Sequence, residues 1–188
     1  SQGLMTQEGK VLLLDNGTAL PDGPRGHEIS QEVCQAAGKC MDEAPEDIAL
    51  VARGAKGQYF RPSLLIHSLK TLTAGLGNDS QPLEAVLDNS GDVTAYQVAL
   101  SSGTPGCSLS GIAADGTADS DGLCVIMTDA QAGSAVIEGA LAQAKAAIDT
   151  ENFTFIVMAN GMAGSSPCSQ ETLADGLEQL LKKLGFQN

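Results

Sequence analysis

Tryptophan is absent from the 188 residues, and aromatics reach only 3%, as two Tyr and four Phe. Basic residues are scarce too: ten Lys and Arg face 23 Asp and Glu, leaving a net charge of −13. With no basic stripe and few rings to stack on bases, nucleic-acid binding is not expected. Long apolar runs are missing as well. Val11–Leu14 and Phe153–Ala159 fall far short of the about 20 residues that a bilayer-spanning helix needs, so no membrane partner is expected. No basic segment followed by an apolar run opens the chain, so no secretory leader is expected. Histidine occurs twice, at His27 and His67, and no Cys-x-x-Cys pair exists, so neither a metal nor another cofactor is expected.

What is present is a core-forming composition, 43% apolar, together with five cysteines. An odd cysteine count in a chain long enough to need no staples points to reduced thiols and a cytoplasmic protein. Cys34 and Cys40 lie six apart and so fall on different faces of a helix. Short β-rich runs alternate with segments of helical period. The pattern predicts strands near 11–14, 48–52, 94–100, 107–113, 123–128 and 153–159. Helices are predicted near 28–41, 62–74, 133–148 and 169–185, the last one capped by Ser169. Interleaved helices and strands give an α/β (α+β) class with mixed sheets, read here as one domain over 1–188.

Three glycine-rich turns follow buried runs: Asp15–Gly17, Arg53–Gly57 and Asn160–Gly164. Glycine lets backbone approach an anion closely, and ligands of α/β sheets sit where loops leave strand ends. Neither the phosphate-loop pattern nor the dinucleotide fingerprint is matched. The loop Asp115–Gly122 carries three carboxylates but lacks the glutamate of a calcium loop; Thr128 stands there. Thr117 and Ser120 in that loop have no base nearby in sequence, and Cys124 reads as core.

Several segments resemble, in order, the ornithine acetyltransferase (glutamate N-acetyltransferase) family. Leu14-Asp-Asn-Gly-Thr-Ala19 is similar to that family's Asn-Ser-Gly-Asn-Ala turn after a buried strand. Pro45-Glu-Asp-Ile-Ala-Leu-Val-Ala-Arg-Gly-Ala-Lys-Gly57 resembles its Pro-Glu-Glu-Val-Leu-Val-Ala-Ser-Thr-Gly-Val-Ile-Gly. Gly111-Ile-Ala113 resembles Gly-Met-Ala, and Ile126-Met-Thr-Asp-Ala130 resembles Ile-Thr-Thr-Asp-Ala. Val157-Met-Ala-Asn-Gly-Met-Ala-Gly164 is similar to Leu-Leu-Ala-Asn-Gly-Ala-Ala-Gly. The resemblance implies two mixed β-sheets flanked by helices, an α-β-β-α sandwich. It also implies an acetyl transfer from N-acetylornithine to glutamate by a threonine freed through self-cleavage.

The residues of that reaction are what the chain departs from. Asp121, preceded by Ser120, occupies the nucleophile position, and Ala52-Arg53-Gly54 replaces the oxyanion-forming Ser-Thr-Gly. Asp88 alone matches the Thr-Asp-Thr-x-x-Lys segment, with Asp92 at the lysine position. The expectation is therefore a non-catalytic relative that binds a small carboxylate or amino acid, or serves as a subunit beside a partner chain or a second copy. Its candidate binding residues are Arg53, Gly54, Lys56, Asp121, Asn160 and Gly161, with no catalytic residue. The alternative is an acyltransferase or amidohydrolase using Thr117, Ser120 or Cys124 as nucleophile.

Overall fold

Apolar runs flanked by turn residues become strands, and parallel neighbours among them need helical crossovers. The computed structural model describes residues 4–8, 11–15, 19–20, 22–52, 54–77, 93–99, 107–116, 121–146, 148, 153–162 and 166–186. The expected α/β class is the one observed. Two compact units make up the chain, residues 1–8 with 83–188, and residues 9–82.

The larger unit holds a five-stranded mixed sheet in the order β1-β9-β8-β7-β6. Its strands are β1 (Leu4–Glu8), β6 (Val93–Ala99), β7 (Ser108–Ala114), β8 (Gly122–Thr128) and β9 (Phe153–Ala159). β9 runs parallel to both β1 and β8, while β7 is antiparallel to β6 and to β8. Helix α3 (Ser134–Lys145) connects β8 to its parallel neighbour β9, and α4 (Gln170–Lys183) follows β9. Leu109, Cys124, Ile126, Phe155 and Val157 on one sheet face form a core with Ile137, Leu141, Leu173, Leu177 and Leu181 of the two helices.

Local chemistry fixes where these elements start and approach. The Ser169 hydroxyl accepts the Thr172 N–H at 3.2 Å, capping α4 as its sequence predicts. Gly111 on β7 lets that helix sit close: a Cβ there would lie 2.9 Å from methyl carbons of Leu180 and Leu184. Phe153, Phe155 and Phe186 pack ring to ring at the end of this core, with the Lys145 ammonium 4.5 Å over the Phe155 ring.

The smaller unit is a βαβ arrangement. β2 (Val11–Asp15) and β4 (Ile48–Ala52) pair in parallel across helix α1 (Gly23–Met41), and a 3-10 turn at Pro45–Asp47 leads into β4. Beyond them, the two-residue strands β3 (Ala19–Leu20) and β5 (Ala55–Lys56) pair in parallel, and α2 (Pro62–Ala74) packs on α1. Leu13, Val33, Ala37, Ile48 and Leu69 form this unit's core.

Helix α1 begins five residues before its predicted start. Pro24 occupies the first turn, where its missing N–H costs nothing and its fixed φ suits the helix. Its other end closes on a left-handed Asp42 (φ 59°), with the Glu43 N–H bonded to the Gly38 carbonyl at 3.1 Å.

That closure makes Gly38 a test of the packing. Helix propensity favours Gly38→Ala by about 1 kcal/mol. A Cβ at Gly38, however, would lie 2.6 Å from the Glu43 carbonyl oxygen, which is backbone and has to move with its turn. Gly38→Ala is expected to lose about 1–2 kcal/mol in urea unfolding despite the propensity gain. An unchanged or raised midpoint would contradict the close approach.

Candidate functional site

Parallel strands bring their carboxyl ends to one rim, where the following loops and helix amino ends gather. In the larger unit that rim is formed by the ends of β8 and β9 and the starts of α3 and α4. β7 runs antiparallel to β8, so its first residue, Ser108, reaches the same rim.

A hydrogen-bond network holds the rim together. The Thr128 hydroxyl donates to the Ser108 carbonyl at 2.8 Å and accepts the Ala130 N–H at 3.1 Å. Thr128 is the one buried polar side chain among the described residues, and these two bonds satisfy it. The Asp129 carboxylate accepts the Ser108 N–H at 2.6 Å and its hydroxyl at 3.4 Å. The Asn160 N–H donates to the Thr128 carbonyl at 3.1 Å, tying the end of β9 to the end of β8.

Asn160 and Gly161 then turn the chain outward. The Asn160 side-chain oxygen accepts the Met162 N–H at 3.0 Å, a side-chain-closed turn. Gly161 takes φ +65°, a conformation that favours glycine. Asn160 and Met162 are exposed, so this turn is open to a ligand.

The topology separates two of the predicted site residues. Asp121 precedes the first residue of β8, whereas Asn160 and Gly161 follow the last residue of β9. Because the strands are parallel and seven residues long, about 20 Å of sheet lies between the two positions. Asp121 and Asn160 therefore do not share a site.

In the smaller unit, Gly54 follows β4 with φ +149°, and Gly57 closes the same loop with φ +77°. Lys56 belongs to β5, paired with Leu20, and Arg53 lies outside the described residues, as do Thr117, Ser120 and Asp88. This loop too leaves the carboxyl end of a parallel strand.

Cys124 lies in the middle of β8 with no exposed surface, and burial pushes its thiol far up, opposed only by the Lys145 ammonium. Such a thiol is a poor nucleophile. Burial likewise raises the Cys34 and Cys107 thiols, the latter also through the charges of Asp129 and Cys168. None of the five cysteines is joined in a disulfide. Among the described residues no group of three or more His, Cys, Asp and Glu could hold a metal ion, and no helix is long and apolar enough to cross a membrane.

The linkage of Thr128, Asp129 and Ser108 carried no local signal, because Ser108 lies twenty residues away in sequence and meets them only through the β7–β8 ladder. No protein-family model matches the sequence, and no curated protein matches it. The resemblance to the ornithine acetyltransferases rests on the short motifs alone.

The raised thiols predict a pH dependence. An unfolded chain releases thiol protons above about pH 8.5, while the folded chain still holds them, so stability falls as pH rises through that range. Burial lowers the Lys145 ammonium, which gives the opposite slope, weakened by its partial exposure. Urea midpoints are expected to fall between about pH 8 and 10, and to fall less steeply in Cys124→Ala. Equal slopes in both proteins would contradict the burial assigned to this thiol.

Proposed function

We propose that the chain is a non-catalytic binding protein, a shortened relative of the ornithine acetyltransferases, that takes a small carboxylate or amino acid. In the larger unit its contacts are Asn160 and Gly161 after β9; the loop after β4, with Arg53, Gly54 and Lys56, is a separate candidate within the smaller unit. The observation that carries this reading is the exposed Asn160–Met162 turn, where a left-handed glycine sits on the rim that also receives the amino ends of α3 and α4. Helix amino ends carry partial positive charge and favour an anion. In the smaller unit's candidate loop, Arg53 is the residue type that can grip a carboxylate bidentately, which a lysine cannot.

Two features favour binding over the acyltransferase or amidohydrolase alternative. The Thr128 hydroxyl is committed to two backbone partners, and Cys124 is buried with a raised thiol. Thr117 and Ser120 remain the nucleophile candidates of that alternative. The free thiols agree with a cytoplasmic location. A role as a subunit beside a partner chain or a second copy is the second reading. It is favoured by Leu64, Leu72 and Leu76, exposed along and just beyond α2, and sedimentation of the intact chain separates it from a monomeric binder.

A thermal-shift panel of amino acids and small carboxylates tests the binding reading. A ligand at 100 times its Kd contributes about 2.7 kcal/mol, an upward shift of roughly 5–10 °C for a chain of this size. Asn160→Ala is expected to reduce the shift given by a ligand held at the larger unit's rim, and Arg53→Ala the shift given by one held at the smaller unit's loop. If no compound moves the midpoint, or if both variants respond as the wild type does, the reading is wrong.

A further inference from the structure

The binding reading makes no use of two buried thiols beside the rim. We propose that Cys107 and Cys168 are a redox pair that closes into a disulfide across the carboxyl end of the five-stranded sheet.

Both residues belong to the same apolar core, at 2% and 4% exposure, although 61 positions separate them in sequence. The ladder and one loop bond bring them together. The β7–β8 ladder ends where Leu109 faces Thr128, and Cys107 lies two residues beyond that end. Ser108 is held there by Asp129, through the bond from its N–H to the carboxylate. From the other side, the Cys168 N–H donates to the Gln131 carbonyl at 2.8 Å. Cys168 and Ser108, the neighbour of Cys107, are thus both bonded to the loop 129–131 that follows β8. After burial and the charge of Asp129, the charge of Cys168 is the next influence raising the Cys107 thiol.

The other thiols have different surroundings. Cys34 donates to the Ile48 carbonyl at 3.4 Å, and Cys40 meets the Thr73 hydroxyl at 3.8 Å, both in the smaller unit, whereas Cys168 donates to the carbonyl of its neighbour Ser169 at 3.6 Å. Cys124 sits four residues before the end of β8, about 13 Å short of the rim.

The oxidant is a low-molecular-weight disulfide, such as glutathione disulfide. One cysteine thiolate attacks it, forming a mixed disulfide and expelling one glutathione thiolate. The second cysteine thiolate attacks the protein-bound sulfur and expels the other glutathione. Two cysteine protons are released, the cysteine pair loses two electrons, and glutathione disulfide gains them. Burial and the raised Cys107 thiol make exchange slow in the native state, gated by local opening.

The test is made on the full chain, incubated at pH 8 with glutathione disulfide or with a reducing agent. Remaining thiols are blocked with a maleimide, and peptides are mapped without reduction. The expected result is a Cys107–Cys168 linked peptide, two hydrogens lighter than the separate peptides, with Cys34, Cys40 and Cys124 blocked as thiols. The oxidised protein is expected to melt higher than the reduced protein, because the bridge closes a long loop of the unfolded chain. Cys168→Ala is expected to lose the bridge and that gain, whereas Cys40→Ala keeps both. Because a core alanine could prevent folding, refolding of the reduced wild type in a glutathione redox buffer provides a second map. Five blocked thiols in both maps, or a bridge joining any other pair, would overturn the proposal.

Discussion

Every side chain from Leu123 to Ile126 is buried, and a strand so placed needs a covering layer on both of its faces. Much of the larger unit follows from that demand. Cys124 and Ile126 face the helical layer with Phe155 and Val157, and Leu123, Val125 and Ile156 bury the opposite face. The helices must come close to cover this face, and Gly111 permits it by leaving room for Leu180 and Leu184. Truncating a fully buried residue of this layer, such as Leu177, removes about 2–5 kcal/mol in comparable cores.

A core this apolar pushes its chemistry to the strand ends. In the middle of β8 the one polar side-chain hydrogen is a thiol, and burial keeps it protonated. At the carboxyl end the polar groups collect: Thr128, Asp129, Ser108 and Asn160 satisfy one another and set the turn at Gly161. Parallel pairing decides which groups can join them. β8 and β9 end together, so Asn160 reaches the rim, while Asp121 is carried to the other end of the same sheet.

How much of this was legible in the sequence follows the same physics. Ile48–Ala52 and Phe153–Ala159 are continuous apolar runs bounded by turn residues, and the strands occupy those residues. The α2 boundaries at Pro62 and Ala74 follow from a proline at the start and a glycine just beyond the end. β1 escaped because Leu4–Glu8 is short, half polar and paired on one side only, as an edge strand tolerates. The first turn of α1 escaped because Gly23-Pro-Arg-Gly26 has loop composition, although Pro24 suits a first helical turn. The site was legible in part. Glycines at 54, 57 and 161 announced positive φ, but strand direction, which divides Asp121 from Asn160, is a property of topology rather than of local sequence.

The most direct test of a ligand site at the carboxyl rim is a titration of the 15N-labelled chain with a ligand chosen from small carboxylates and amino acids, followed by amide shifts. Saturable shifts are expected at Gly161 and Met162, with Asp121 and Gly122 at the far end of β8 unmoved. Shifts that centre on Asp121, or that scatter over surface lysines without saturating, would contradict it.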